Sequence, residues 1–245
     1  MAGRGSRFAD AGYATPKPFI EVHGIPMISF VMRNLTPSQP HRFILVALEE
    51  HVKEYNLEAV ARTECPDTEI VTLSGVSEGP ACSVMAAWPL IDPSQPLLIA
   101  NSDQWVAPSV DELINAATGF AGALMTMPDS DPKWSFVRRD PSGRIDAVLE
   151  KQPVSNEATV GIYYFSQASL FAHALDVMIE TDERVNGEFY VGPGYNVLLD
   201  EGLDINTLDV GAIGVGMHGL GIPSDLDDFL TSGLGLDLAS TTPGH

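Results

Sequence analysis

The residues best equipped for chemistry lie near the start of the chain. Met1 to Phe8 reads M-A-G-R-G-S-R-F, and Thr15 to Pro18 reads T-P-K-P. Gly3 and Gly5 carry no Cβ, so backbone N–H groups there can come close to phosphate oxygens. Arg7 and Lys17 place fixed positive charge just behind. A lysine about 4 Å from a phosphate oxygen gains roughly 4 kcal/mol at an effective dielectric of about 20. A few placed cations can therefore hold a polyphosphate that an acidic chain otherwise repels. Glycines alone would read as an ordinary surface turn; Lys17 is what favours the phosphate-binding loop. No G-K-S/T follows, so the loop is not a Walker A. The third glycine of a dinucleotide fingerprint is missing too, and no strand precedes the loop.

Other residues of chemical interest stand at element ends. Asp103 follows the apolar run Leu97–Ala100. Mg²⁺ usually takes one or two such carboxylates and fills its remaining positions with phosphate and water, but taken alone Asp103 reads more simply as a helix cap or an Asx-turn. Glu78 and Gly79 precede a helix start at Pro80. Glu150-Lys151 ends a strand, and by itself could be an exposed ion pair. Gly161 sits within an apolar strand, where a bulge is the simple reading. Glu188, in N-G-E-F-Y (186–190), could be an early-helix acid complementing the dipole. The six histidines are scattered, and no Ser/His/Asp or Cys/His arrangement is persuasive.

The elements that must position these residues alternate. Strands are expected at Phe43–Leu48, Glu69–Leu73, Leu97–Ala100 and Gly122–Met127, with helices at Glu49–Ala61, Pro80–Leu90 and Pro108–Ala117. This βαβα order predicts an α/β fold with a mostly parallel central sheet and helices on both faces. Ligands of such sheets sit beyond the carboxyl ends of the strands, where Asp103 falls. After Met127 the strands Trp134–Val137, Ile145–Leu149 and Thr159–Phe165 follow one another, with a turn at Pro141-Ser142-Gly143. They predict a smaller antiparallel part. Helices are expected at Gln167–Glu180, Tyr195–Asp200 and Pro223–Leu230, edge strands at Ile205–Leu208 and Ile213–Met217, and a frayed tail from Leu234.

Bulk composition narrows the function. The 245 residues carry 13 Lys and Arg against 33 Asp and Glu, a formal charge of −20. That argues against non-specific binding to nucleic acid or an anionic membrane. An apolar content of 44% suffices for a packed core. Cys65 and Cys82 have no paired spacing, so neither a disulfide framework nor a zinc site is expected. No run approaches the roughly 18 apolar residues of a membrane span, and the N-terminus lacks an apolar signal region. A cytoplasmic protein is the default expectation.

Three linked pieces carry a resemblance. The glycine-rich loop (Ala2, Gly3, Gly5, Ser6, Arg7), the triplet Pro16-Lys17-Pro18 and the run Val22, Pro26, Met27, Ile28 stand in the order of the N-terminal signature of the sugar-1-phosphate nucleotidyltransferases. The chain thus resembles the nucleoside triphosphate transferase family, of the type found in capsular or surface-polysaccharide biosynthesis. The resemblance implies a Rossmann-like, GT-A-type domain over residues 1–233. Residues 1–127 would be its nucleotide-binding half, 128–233 its acceptor-binding half, and 234–245 a tail. The family has a short apolar strand before the loop, so a first strand is missing here and the natural protein is expected to begin several residues upstream.

The implied reaction is Mg²⁺-dependent transfer of a nucleotidyl group from a nucleoside triphosphate to a sugar 1-phosphate or similar small phosphate, with pyrophosphate released. Arg7 and Lys17 would hold the triphosphate and stabilise the transition state. Ala2, Gly3, Gly5 and Ser6 would line the phosphates, and Glu78 and Gly79 would meet the base. Asp103 would bind Mg²⁺. Glu150, Lys151, Gly161 and Glu188 would contact the acceptor. Many members carry a second metal carboxylate about where Gly219 falls; Asp225 and Asp209 are weak substitutes. A non-catalytic nucleotide- or sugar-binding relative is one alternative. A glycosyltransferase of related fold is another, although Asn101-Ser102-Asp103 offers one carboxylate where that class shows Asp-x-Asp. Base, acceptor and oligomeric state, a homo-oligomer included, stay open.

Overall fold

The structure, a computed structural model, describes residues 6–241. A short helix α1 (Ser6–Asp10) is followed by a 3₁₀ turn at Lys17–Phe19 and a two-stranded hairpin, β1 (Glu21–Val22) and β2 (Ile25–Pro26). Helix α2 (Met27–Asn34) starts straight after Pro26 and buries Met27, Ile28, Phe30, Val31 and Met32. Strand β3 (Ile44–Leu48) leads into α3 (Glu49–Glu54) and α4 (Leu57–Glu64). One helix was expected here. Asn56, at φ 48°, splits it, and asparagine is among the few residues that adopt this left-handed conformation readily.

Strand β4 (Glu69–Leu73) agrees with expectation, as does β5 (Leu97–Ala100). The helix between them is shorter than expected: α5 covers Pro80–Met85, and Trp88–Leu90 forms a separate 3₁₀ turn. Next come β6 (Gln104–Val106), α6 (Val110–Ala116), β7 (Gly122–Pro128), β8 (Ser135–Arg139), β9 (Ile145–Glu150), β10 (Glu157–Phe165), α7 (Ala168–Glu180), α8 (Gly194–Asp200) and β11 (Ile205–Asp209). The last elements are β12 (Met217–Gly219), α9 (Pro223–Ser232) and α10 (Leu236–Ser240). The expected strand at Ile213–Met217 is not formed: Ile213 makes a lone bridge, Ile213 and Val215 are exposed, and the strand starts at Met217. The chain end is tied rather than frayed over α10, where Arg33 Nη1 donates to the carbonyls of Leu238, Ala239 and Thr241.

The chain forms two compact units. The first takes the chain up to Val76, Asn101–Val110 and the part from Gly214 onward. Here β3 and β4 pair in parallel, Ile44 opposite Glu69, and β6 and β12 pair antiparallel, Gln104 opposite Gly219. Its core packs Ile28 and Met32 of α2 with Ala47 of β3 and Leu57 and Ala61 of α4.

The second unit takes Ser77–Ala100 and Asp111–Ile213. Its six-stranded sheet runs β11-β7-β10-β8-β9, with β5 also paired to β10. β11 and β7 are parallel, β10 runs antiparallel to β5, β7 and β8, and β8 and β9 form the expected hairpin. Phe165, Phe171, Tyr195 and Leu198 fill its core. The class is α/β, as the alternating pattern implied. No helix among the described residues is long and apolar enough to cross a membrane.

Candidate functional site

The first unit brings two of the expected residues together. Lys17 Nζ donates to Asp103 Oδ2 at 2.8 Å, and the two side chains are 22% and 30% exposed. Each is held by its backbone. Lys17 opens a 3₁₀ turn between two prolines, whose fixed φ limits the paths of the chain, and Phe19 N–H donates to the Pro16 carbonyl at 2.9 Å. Asp103 lies between β5 and β6, and its carbonyl accepts the Leu220 N–H at 2.7 Å. A lysine and a carboxylate left partly open to solvent can exchange each other for an anion and a cation.

The glycines around Leu220 make room for carboxylates. A Cβ on Gly221 would fall 2.5 Å from Asp103 Oδ2, a distance real Cβ atoms do not reach. A Cβ on Gly219 would fall 3.1 Å from Asp225 Oδ2. Asp225 also stands in the first turn of α9, so its early-helix reading holds too. No group of three or more His, Cys, Asp or Glu side chains converges among the described residues. Asp103 and Asp225 are the carboxylates that lie against these glycines. Arg7 lies on α1 and is exposed. Ala2, Gly3 and Gly5 fall outside the described residues, as does the side chain of Ser6.

The second unit holds the residues expected at the base and the acceptor. Gly79 precedes α5 at φ 125°, a conformation that favours glycine. A Cβ there would lie 2.5 Å from the Phe189 carbonyl oxygen and 3.1 Å from Glu188 Cβ. The two loops are laced together: Phe189 N–H donates to the Glu78 carbonyl at 2.9 Å, and Ala81 N–H to the Phe189 carbonyl at 3.1 Å. Arg184 adds a clasp. Its Nη1 lies 2.6 Å from Glu78 Oε2, and its guanidinium lies 4.2 Å from the Phe189 ring centre. Glu78 is thus an exposed ion-pair partner, and the buried member of the pair is Gly79.

Around the expected acceptor residues the arrangement is specific. Lys151, at φ 56°, donates from Nζ to the Tyr190 hydroxyl at 2.7 Å, and that hydroxyl donates to Glu188 Oε2 at 2.6 Å. Its bond to the Tyr190 hydroxyl raises the Lys151 pKa. Glu150 points into a different setting: it is buried, Ser135 Oγ donates to it, and burial raises its pKa above the usual carboxylate value. The Glu150-Lys151 exposed-pair reading therefore fails, since the two side chains serve separate networks. Gly161, at φ 78°, marks the bulge where the β10–β7 register shifts between Thr159 and Tyr163. Asp209 ends β11 and accepts the Gly211 N–H at 2.8 Å, an Asx-type turn.

Tyr190, Arg184, Ser135 and Gly221 are the residues sequence reasoning passed over. Tyr190 had a signal: it stands two residues after Glu188, a spacing that puts side chains on one side of an extended segment. Ser135 and Arg184 had none, because their partners are 15 and 106 residues away.

Comparison with known proteins bears on both units. The nucleoside-diphosphate-sugar pyrophosphorylase from Vibrio cholerae RC9 has a similar fold, with a TM-score of 0.80 at 24% identity, covering 94% of this chain and 98% of that one. The inositol-1-phosphate CTP transferase from T. maritima gives a TM-score of 0.72 at 19% identity, covering 94% and 92%. Among curated proteins, the bifunctional protein GlmU of Burkholderia multivorans is 27% identical over 215 residues, 84% of this chain and 45% of the relative. The chain thus spans about half the length of the curated relatives it matches. The sequence model described as nucleotidyl transferase matches residues 1–190. With this match over most of its length, the chain belongs to the nucleotidyl transferase family of enzymes.

Proposed function

We propose that the protein transfers a nucleotidyl group from a nucleoside triphosphate to a sugar 1-phosphate or a similar small phosphate, forming a nucleoside diphosphate sugar and pyrophosphate. The observation that carries this reading is the Lys17–Asp103 pair, partly exposed and backed by a glycine. The names of the similar proteins support it: a sugar pyrophosphorylase and a CTP transferase.

The acceptor is a phosphate monoester whose second pKa is about 6. It is ionised at neutral pH, so attack on the α-phosphorus needs no general base. Catalysis then reduces to aligning and neutralising two anions. Lys17 and Arg7 would hold the triphosphate, with Ala2, Gly3, Gly5 and Ser6 along it. Gly79, with Glu78 beside it, would present main-chain groups to the base. Lys151 would take the acceptor phosphate, and Glu188 an acceptor hydroxyl. Asp103 would hold Mg²⁺, with Asp225 as the second carboxylate; the ion, when bound, neutralises phosphate oxygens.

The test is a pyrophosphate-release matrix of four nucleoside triphosphates against a panel of sugar 1-phosphates and polyol phosphates, with Mg²⁺. Acceptor-dependent release for at least one pair supports the reading. Nucleotide binding by calorimetry, without release from any pair, would select a non-catalytic relative, a reading that Gly219 favours.

A further inference from the structure

Lys151 and Glu188 carry opposite charges, yet among the described residues neither forms an ion pair. Tyr190 stands between them. Its hydroxyl accepts from the ammonium at 2.7 Å and donates to the carboxylate at 2.6 Å, and the ammonium lies 4.7 Å from the centre of its ring. We propose that Tyr190 is a positioning residue that keeps Lys151 and Glu188 apart, so that one stays free for an acceptor phosphate and the other for an acceptor hydroxyl. This inference rests on the acceptor-binding reading given above.

The physical reason is hydrogen-bond capacity. An ammonium has three donors and a carboxylate about four acceptor positions. The phenol occupies one of each, which leaves two donors and most of the acceptor positions open. A direct Lys151–Glu188 pair would aim the ammonium at the carboxylate and cancel the field a phosphate needs. The ring also holds the cation over its face, which limits where Nζ can travel.

The neighbouring carboxylate is kept out of this by the fold. Glu150 is adjacent to Lys151 in sequence, but it is buried and takes the Ser135 hydroxyl. The Lys151 backbone is pinned by the bond from its N–H to the Trp134 carbonyl at 2.9 Å, in a left-handed conformation that lysine seldom adopts. Glu188 is fixed from its other side, because the following N–H, that of Phe189, is bound to the Glu78 carbonyl. With both backbones anchored, the phenol stands between the two side chains and bonds to each.

Tyr190→Phe removes the hydroxyl and keeps the ring. Its crystal structure should show Lys151 Nζ on a Glu188 carboxylate oxygen. Calorimetry should show affinity for glucose 1-phosphate lowered by about tenfold, with nucleoside triphosphate affinity unchanged. In turnover, acceptor KM should rise with kcat within about twofold. Adding Glu188→Gln to Tyr190→Phe should restore affinity for inorganic phosphate, which has no sugar hydroxyl to lose. A purely structural tyrosine would not be rescued in this way.

Wild-type glucose 1-phosphate binding in Tyr190→Phe, or side chains that stay apart in its structure, would overturn the inference while leaving the transferase reading intact. A wild type that binds neither probe would overturn it as well. A wild type that binds glucose 1-phosphate but releases no pyrophosphate with any triphosphate would sink the transferase reading instead, and the Tyr190 comparison would still stand.

Discussion

Lys17 and Asp103 are 86 residues apart in sequence, and their side chains meet at 2.8 Å. One comes from a turn between prolines, the other from the short link between β5 and β6. Gly221 gives the carboxylate its space: a Cβ there would fall 2.5 Å from Oδ2, so the carboxylate would have to turn aside. The pair is partly exposed, so its contribution to stability is no more than about 1 kcal/mol. In the proposed reaction, each partner would bind a substrate group or its cation when they separate.

Lys17→Ala should therefore cost turnover and little else. Loss of one positioned donor to a developing charge lowers kcat by about 10²–10³. Thermal unfolding should move by no more than a few degrees. Pyrophosphate release and a melting curve on the same preparation check both. Turnover close to wild type would remove Lys17 from the mechanism.

Gly79→Ala should disturb the proposed acceptor side although the residue belongs to the loop proposed to meet the base. The added Cβ meets the Phe189 backbone at 2.5 Å and Glu188 Cβ at 3.1 Å, and φ is 125°. Strain of this kind costs about 1–3 kcal/mol, to be read from urea unfolding, and affinity for the acceptor should fall with it. Gly187→Ala is the comparison: φ there is 83°, and nothing lies within 4 Å of the new atom. It should show the backbone cost of about 1–2 kcal/mol alone.

Glu150 makes stability depend on pH. Burial raises its folded pKa above 4.5. The folded state then holds a proton that the unfolded state has released, so the stability this proton provides is present below about 4.5 and lost as pH rises through the folded pKa. Glu150→Gln keeps an acceptor for the Ser135 hydroxyl and has no proton to lose. Its stability relative to wild type should grow as pH rises from 4.5, as measured by denaturant titration at several pH values. A constant difference would show that Glu150 does not titrate in this way.

His218 works in the opposite direction. It is buried against Trp105 and Phe229, with ring centres 5.7 and 5.2 Å away, and burial lowers its pKa below 6.5. The unfolded state takes up a proton first as pH falls, so stability is full above about 6.5 and declines below it. His218 Nε2 has no hydrogen-bond partner among the described residues. His218→Phe should flatten the stability profile between pH 5 and 7 and leave the protein at least as stable at pH 7.5. An unchanged acid limb would point to other groups.

Much of this was legible in sequence where a residue's role depends on its neighbours in the chain. Taken alone Asp103 reads as a helix cap or an Asx-turn, and it is the resemblance that singles out Asp103 after its apolar run and Lys17 within Pro16-Lys17-Pro18. Strands β4 and β5 were read to the residue. What failed depended on distant contacts. β6 is three residues long and is made by pairing with β12, 113 residues on. The apolar residues Ile213 and Val215 suggested a strand, but pairing settled on Met217–Gly219. The α3–α4 break turned on the conformation of one asparagine. α10 is a five-residue helix whose carbonyls are bound by Arg33, some 205 residues earlier. Tyr190 was visible in its motif but mute, because its meaning comes from Lys151 on another strand end.

The central claim is that Lys17 and Asp103 part to receive a triphosphate and its cation. A crystal soaked with Mg²⁺ and a non-hydrolysable nucleoside triphosphate tests it most directly. The account predicts that the 2.8 Å contact opens, with Lys17 Nζ on a phosphate oxygen and the Asp103 carboxylate on the metal. Phosphates bound elsewhere, with the Lys17–Asp103 pair still closed, would contradict it.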